Sequence, residues 1–327
     1  MTGYTILIAV YNAELYLEEC LQSLQAQTWS DWKAVCIDDC STDGSRDILL
    51  KYAESDVRFM VLQTAQNSGQ AVARNLGLKQ ADGDFTLMLD ADDYLAPDAL
   101  QNLWEAHERH PQVDAMLFDL TRVWADGRME SWTWPDERRL LSGYEACLLS
   151  INWRIHGCFA LRTDLHQKYP YDTTFRVYSD DTTSHIHLLK SREVALCEGR
   201  YYYRQHEASS THQFCLRRLD FVDANRLLAE KLEAECIGSE GLNLCEDAAW
   251  KVFVGVYREF QKQRAVFSAK DNEEVDRRFK LALGKMHPER LSPQLRKIPA
   301  YFFISSFTWF VRWQKLLMFV HRLCKGA

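Results

Sequence analysis

The chain has 327 residues, 47% hydrophobic and 26% charged, with only 7 Pro and 14 Gly. That composition excludes a disordered or collagen-like chain and supplies apolar material for a sizeable core. The net charge of −7 argues against a general nucleic-acid binder, so no nucleic-acid partner is expected.

At roughly 150 residues per domain the length suggests about two structural units. Strand patterns are read at Tyr4–Val10, Trp32–Asp38, Phe59–Gln63, Phe85–Leu89 and Ala115–Leu120. Helices are read between them at Leu15–Gln25, Ser45–Ala53, Gln70–Gln80 and Pro97–Glu108, with Pro97 at a helix start and Asp98 in its first turn. This alternation predicts an α/β domain with a mostly parallel sheet and helices on both faces. Ligands of such sheets bind beyond the carboxyl ends of the strands, so the polar residues there carry the functional reading.

Residues 126–210 read as mixed α and β. A helix is expected near Gly143–Ser150, a strand at Cys158–Arg162, a helix near Asp181–Lys190, and strands at Val194–Cys197 and Arg200–Arg204. From Cys215 the pattern is helical: an amphipathic stripe over Leu216–Glu235, then Asp247–Arg264 and Asn272–Met286. The expected organisation is therefore a domain over 1–210, in two parts at 1–125 and 126–210, and a helical region over 211–327.

The first strand ends in Val10-Tyr11-Asn12-Ala13-Glu14, without the glycine turn that a dinucleotide-binding domain needs to approach a pyrophosphate. The second ends in Asp38-Asp39-Cys40-Ser41-Thr42-Asp43-Gly44-Ser45. Helix capping accounts for Thr42 to Ser45; two adjacent carboxylates ask for a donor, such as a nucleoside. The fourth strand runs into Asp90-Ala91-Asp92-Asp93, three carboxylates whose burial is costly without a cation or donor. Oxygen ligands suit Mg²⁺ or Mn²⁺ on a substrate phosphate; the other reading is an acidic loop capping the Pro97 helix. Between them lies Asn67-Ser68-Gly69 followed by Arg74-Asn75-Leu76-Gly77. Arg74 reads either as a ligand of a diphosphate or nucleotide ring or as an exposed surface arginine.

In order and spacing, Ala9-Val-Tyr-Asn12, Asp38-Asp39-x-Ser41-x-Asp43-x-Ser45, Asn67-x-Gly69-x4-Arg74-Asn75-x-Gly77 and Leu89-Asp-Ala-Asp-Asp93 resemble the family 2 glycosyltransferases. These are inverting enzymes with the nucleotide-sugar-binding fold called GT-A. The resemblance covers roughly residues 3–210; Ala9 stands where many members have proline. It implies a nucleotide site of Ala9, Tyr11, Asp39, Arg74, Asp90 and Arg204, with Asp39 on the base (usually uracil) and Asp90 on the ribose. It implies Mn²⁺ or Mg²⁺ on Asp92 and His206, and a structural or supporting role for Asp93. The family's Glu-Asp pair matches Asp180-Asp181, which implies Asp181 as the catalytic base, although the two aspartates can exchange roles and N-capping is the plainer reading. His187 stands where an arginine is common, and His185 is a third contender for the base.

The implied reaction is transfer from a nucleotide sugar, UDP-linked by resemblance, to a glycan or lipid-linked acceptor in surface-polysaccharide synthesis. Two rivals are a non-catalytic nucleotide-binding or scaffold member and a sugar-1-phosphate nucleotidyltransferase. The latter needs a Gly-rich loop that Tyr11-Asn12-Ala13 does not offer. Trp132, Trp134 and Trp153 read as a stacking platform for an acceptor sugar or as core.

Charge and sulfur place the chain. No Asp or Glu follows Glu289, whereas seven Lys and Arg do, leaving residues 1–289 at −14. Within the acid-free segment after Glu289, residues 298–327 combine aromatics with Arg and Lys and hold too short an uninterrupted apolar run to span a bilayer. They read as a helix lying peripherally on the cytoplasmic face of a membrane, or packed on protein, a second subunit of a homo-oligomer included. Ten cysteines without a C-x-x-C fit free thiols in a reducing compartment, and Ile6 to Val10 is too short for a signal peptide. A cytoplasmic location is expected.

Overall fold

The computed structural model describes residues 3–134, 138–206, 214–298, 301, 304 and 306–325. The side chains of Asp181 and of residues 321–325 lie outside that description. The chain divides into two compact units, Met1–Gln213 and Phe214–Ala327.

The first unit is built on one sheet. β1 (Tyr4–Val10), β2 (Trp32–Asp38), β3 (Phe59–Gln63) and β4 (Phe85–Met88) run parallel in the order β3-β2-β1-β4. Six of the seven β1 residues are buried, as a central strand covered on both faces requires. α1 (Glu14–Gln25) buries Leu17, Cys20, Leu21 and Leu24, one stripe at helical spacing. α2 (Ser45–Ser55) returns the chain from β2 to β3. α3 (Gln70–Leu78) comes so close to β2 that a Cβ on Gly77 would stand 2.6 Å from Ile37 Cδ1, so any larger residue there would have to displace the Ile37 side chain.

Beyond β4 the sheet becomes mixed. β5 (Tyr94–Leu95) is followed by α4 (Ala99–Arg109) and β6 (Val113–Trp124). β7 (Met129–Ser131), β8 (Leu140–Ser142) and α5 (Gly143–Ile151) come next. β9 (Phe159–Arg162) then runs antiparallel to both β4 and β6. α6 (Thr163–Lys168) and α7 (Ser179–Lys190) lead to β10 (Glu193–Gln205), parallel to β6. The parallel arrangement read from the alternation thus holds for β1–β4 and for the β6–β10 pair, and β9 interrupts it. Two strands expected at 194–204 are one strand with an irregularity between Leu196 and Arg200. Pro97 precedes its helix instead of starting it: Asp98 is the N-cap residue and α4 begins at Ala99. β5, β7 and β8 were too short for a periodic signal.

The second unit is helical: α8 (Asp220–Ala234), α9 (Gly238–Lys262), α10 (Ala269–Gly284), α11 (Pro293–Arg296) and α12 (Phe307–Lys325). α9 starts nine residues earlier than its apolar stripe suggested, because Cys245 and Gly241 also face inward. Phe253, Tyr257, Phe260, Phe279 and Phe310 form its aromatic core. Among the described residues no helix is long and apolar enough to cross a membrane.

Candidate active site

Most of the functional groups stand at a strand end or on the helix that follows it. After β1, Asn12 takes the left-handed conformation (φ 51°), its amide donating to Ser41 Oγ (3.1 Å) and its Oδ1 accepting from the Thr42 amide (2.7 Å). This cross-link fixes the first two strand ends together and leaves Tyr11 half exposed. Ala9 lies one residue inside the same end, paired with Ile37.

After β2 the two aspartates diverge. Asp38 is fully buried, accepting from the Ser41 amide (3.0 Å) and Gln63 Nε2 (3.1 Å). Asp39 is also buried and builds a wall. Its Oδ1 accepts from Thr64 Oγ1 (2.7 Å) and the Ser68 amide (2.8 Å), and its Oδ2 from the Gly69 amide (2.7 Å). Gly69 has φ +91°, and a Cβ there would stand 2.7 Å from Arg176 Cγ, so both conformation and space require glycine. The repulsion that made the Asp pair notable in sequence is met by these protein donors, with one lone-pair position of Asp39 Oδ2 beyond the Gly69 bond.

Arg74 corrects one alternative outright: its side chain is 2% exposed, not a surface group. Its Nη2 donates to Asp90 Oδ1 at 2.5 Å, and its guanidinium lies 5.4 Å from the Tyr171 ring centre. Its Nη1 is buried with no hydrogen-bond acceptor among the described residues. Burial opposes this charge, but the Asp90 carboxylate, aided by Tyr171 and Asp180, outweighs it and raises the guanidinium pKa. The next residue, Asn75, clamps Tyr171 through two bonds, Nδ2 to its carbonyl (2.7 Å) and Oδ1 from its amide (2.9 Å). Tyr171 carried no signal in sequence, and Asn75 was visible only as part of a motif.

At the end of β4, ligand oxygens of Asp90, Asp92 and Asp93 lie within 4.8 Å of one another. Asp93 is buried and spends both oxygens, on the Tyr201 hydroxyl (2.8 Å) and the Arg204 amide (2.8 Å). Burial and the neighbouring Asp90 and Asp92 charges push its pKa well up. Asp92 is held up in the same direction by burial and Asp90, although His206 Nε2 lies 2.8 Å from its Oδ2 and pulls the other way. The Asp90 and Asp92 side chains keep 40% and 32% of their surface exposed, and each engages a partner side chain through one carboxylate oxygen, Arg74 and His206 respectively. Carboxylates whose charge is opposed by a like neighbour are relieved by a cation, and carboxylate oxygens are what Mg²⁺ or Mn²⁺ accepts, with the His206 nitrogen beside Asp92 as a further ligand. The donor set fits such an ion on Asp92, with Asp90 beside it.

β10 closes the acidic turn from the other side. Arg204 Nε donates to the Asp92 carbonyl (2.8 Å) and Nη2 to Glu19 Oε2 (2.6 Å), while its guanidinium lies over Tyr16 and Tyr94. His206 packs on Tyr16, ring centres 4.6 Å apart. Tyr16 and Glu19 were not foreseen, since nothing in α1 distinguishes a residue that meets a strand end far along the chain, and Tyr201 reads as one of the apolar residues of a buried strand. Ser209, Ser210 and Thr211, where the family resemblance implies a segment closing over the nucleotide, lie outside the described residues.

α7 begins after Tyr178, which is left-handed (φ 71°) and buried. Asp180 is half-buried, and its charge acts on Arg74, Tyr171 and Cys158. Asp181, the expected base, has only its backbone described, in the first turn of α7. His185 drops out of contention: it is buried, with Nδ1 2.7 Å from Ser150 Oγ, and burial lowers its pKa to about 4. His187 is likewise buried, bonded to the Tyr169 carbonyl and packed on His166. Trp132 and Trp153 share a cavity of about 320 Å³. Trp134 is not part of it; its Nε1 donates to the Arg138 carbonyl (2.6 Å).

Against known proteins, the family model described as "Glycosyl transferase family 2" matches residues 5–169. The protein named as the teichuronic acid biosynthesis glycosyltransferase TuaG of Bacillus subtilis is 41% identical over 109 residues, 32% of this chain and 43% of TuaG. Glycosyltransferase EpsJ of the same organism is 28% identical over 221 residues, 63% of this chain and 62% of EpsJ. The chain thus spans less than two thirds of either relative. The solved structure of Staphylococcus aureus TarS 1–349 in complex with UDP-GlcNAc superposes with TM-score 0.70 at 19% identity, covering 93% of this chain and 88% of that one. The mannosyltransferase PcManGT of Pyrobaculum calidifontis, solved with GDP-Man and Mn²⁺, superposes with TM-score 0.53 at 17% identity, covering 93% of this chain and 86% of that one. The fold of the chain is therefore the GT-A type with a helical C-terminal region.

Proposed function

The chain belongs to glycosyl transferase family 2, and from that premise we propose a metal-dependent, inverting transfer from a UDP-sugar to a glycan or lipid-linked acceptor of a surface polysaccharide. One observation carries the reading. The ends of β4 and β10 and the buried face of α3 bring Asp90, Asp92, Arg74, Arg204 and His206 into one linked set. The structural neighbour solved with UDP-GlcNAc supports a UDP-linked donor, and the one solved with Mn²⁺ supports a divalent ion.

In this reading the donor lies across the strand ends. Asp39 meets the base with its remaining acceptor capacity, beside Ala9 and Tyr11. Asp90, its rotamer pinned by Arg74, takes the ribose hydroxyls. Asp92 and His206 would hold the ion, whose positive charge would offset that of the diphosphate leaving group. Arg204 adds a fixed cation on the same side. Asp181 takes the proton of the acceptor hydroxyl as the new bond to the anomeric carbon forms and the bond to the diphosphate breaks, with Asp180 beside it. A proton passes to the carboxylate and the nucleoside diphosphate departs as an anion, so the step balances without further reagents.

The second unit suits a peripheral membrane contact. α12 buries Phe310 and Gln314 in the helical core, so one face is packed on protein. Its opposite face exposes Trp309, Leu316, Phe319 and Val320 beside exposed Arg312 and Lys315, the composition of an interfacial helix on an anionic surface. Incubating the purified chain with UDP-, GDP- and TDP-sugars and Mn²⁺ tests the whole reading. Release of free UDP from one UDP-sugar is expected; no nucleotide release from any donor contradicts it.

A further inference from the structure

The residues around the cavity between Trp132 and Trp153 are not those that hold the donor or take the proton in the reaction just described. The cavity is bounded by the end of β6 (Arg122), by β7 (Glu130 and Ser131), by Trp132 and by the turn after α5 (Trp153 and Arg154). At about 320 Å³ it is at the small end of small-molecule sites, room for a monosaccharide rather than a nucleotide sugar.

The backbone at Trp153 is the informative part. α5 ends in a Schellman turn: the Trp153 amide donates to the Ser150 carbonyl (2.9 Å) and the Arg154 amide to the Leu149 carbonyl (2.9 Å). The residue at Trp153's position must be left-handed, and its φ is 59°. Glycine is the usual choice there, and a bulky residue is strained. The sequence instead places the largest side chain there and leaves it 48% exposed. The indole is only half buried, edge-on against His185 with ring centres 6.3 Å apart, and the rest of it faces the cavity and solvent. Cys236 closes α8 by the same turn, so the strain alone is not distinctive; its coincidence with a cavity wall is.

The facing groups match a sugar. Trp132 is anchored by its Nε1 on the Arg154 carbonyl (3.3 Å) and carries the Arg122 guanidinium 4.9 Å from its ring centre. Arg122 also lies 3.7 Å from Glu130. Indole faces take the C–H face of a pyranose, and a guanidinium beside a carboxylate offers donors and an acceptor to vicinal hydroxyls. The cavity also lies toward the strand ends that carry the acids: Arg122 pairs with Tyr203, next to Arg204 on the acidic turn. Trp132 meets His156 edge-on (5.7 Å), His156 Nδ1 accepts from the Cys158 amide (3.2 Å), and Cys158 feels the charges of Asp93, Asp90 and Asp180.

We infer that the cavity walled by Trp153 and Trp132 is an acceptor subsite that binds a pyranose unit of the glycan. This rests on the transferase reading for what the bound sugar is for, not for its binding.

Saturation-transfer NMR on the full chain tests it, with methyl β-glucoside, methyl β-galactoside and methyl β-N-acetylglucosaminide as probes at millimolar concentration. Wild type is expected to saturate the C–H protons of at least one pyranoside. Trp153→Gly is expected to weaken that binding by about tenfold while keeping or raising the melting temperature, since glycine suits the left-handed turn. Binding of UDP with Mn²⁺, followed in parallel, is expected to stay unchanged in the variant. No saturation of any probe by wild type, or equal saturation by Trp153→Gly, overturns the subsite. Loss of UDP binding in wild type with pyranoside binding retained would instead strike the donor reading and leave the subsite standing.

Discussion

Arg74 and Asp90 form a half-hidden ion pair: the guanidinium is 2% exposed, the carboxylate 40%, and 2.5 Å separates them. The arginine cannot leave, so it fixes the orientation of the aspartate that faces the cleft. Asp90→Asn leaves a buried cation without its contacting carboxylate. The expected loss is about 1–3 kcal/mol, below the figure for a fully buried pair because Asp90 is partly solvated. It is read as a lower urea midpoint at unchanged slope, and Arg74→Met in the same background should recover part of it. A variant as stable as wild type contradicts this account of the pair.

The base assignment separates binding from chemistry. Asp181→Asn is expected to lower turnover by about 10²- to 10⁴-fold with UDP affinity unchanged. Asp180→Asn is expected to perturb the donor side as well, because its charge acts on Arg74. If Asp180→Asn loses all transfer while Asp181→Asn keeps it, the two roles are exchanged.

Acid should loosen the first unit. His156, His185 and His187 are buried, and burial lowers each pKa to about 4 from an ordinary 6.5. Below pH 6.5 the unfolded chain binds protons that the folded chain refuses until about pH 4. Stability is therefore full above that window and falls across it, each histidine contributing at most about 3 kcal/mol. Urea midpoints at pH 7 and 5 measure the slope. His185→Leu should flatten it, since Ser150 keeps its bond to the Cys147 carbonyl (2.7 Å); an unchanged slope contradicts the assignment.

Removing the C-terminal helix is a poor test of membrane contact, because Phe310 and Gln314 are core residues. Trp309→Ser with Phe319→Ser alters only exposed positions. Flotation with vesicles containing anionic lipid is expected to recover wild type and lose the double variant. Equal flotation contradicts the proposal, as does a wild type that stays with the soluble fraction.

Much of the first unit was legible because it is local. Buried parallel strands are near-continuous apolar runs, and β1, β2 and β3 begin and end where those runs do. The acidic turn at 90–93 was visible for the same reason: charge at the end of an apolar strand has few explanations. What the sequence could not show is pairing across long separations. Arg74 reads as a surface group until Asp90 and Tyr171 are set against it, and Glu19 is an ordinary helix residue until Arg204 arrives. Trp153 was visible as an aromatic, but its left-handed backbone and cavity exist only in three dimensions.

The central claim is that the acidic turn after β4 holds a divalent ion on a nucleoside diphosphate. Titrating UDP into the full chain, with Mn²⁺ and then with EDTA, in wild type and in Asp92→Asn, tests it most directly. The account predicts Mn²⁺-dependent UDP binding in wild type, visible also as a raised melting temperature, and its loss in Asp92→Asn with the fold intact. UDP binding that is indifferent to Mn²⁺ and to Asp92 would contradict it.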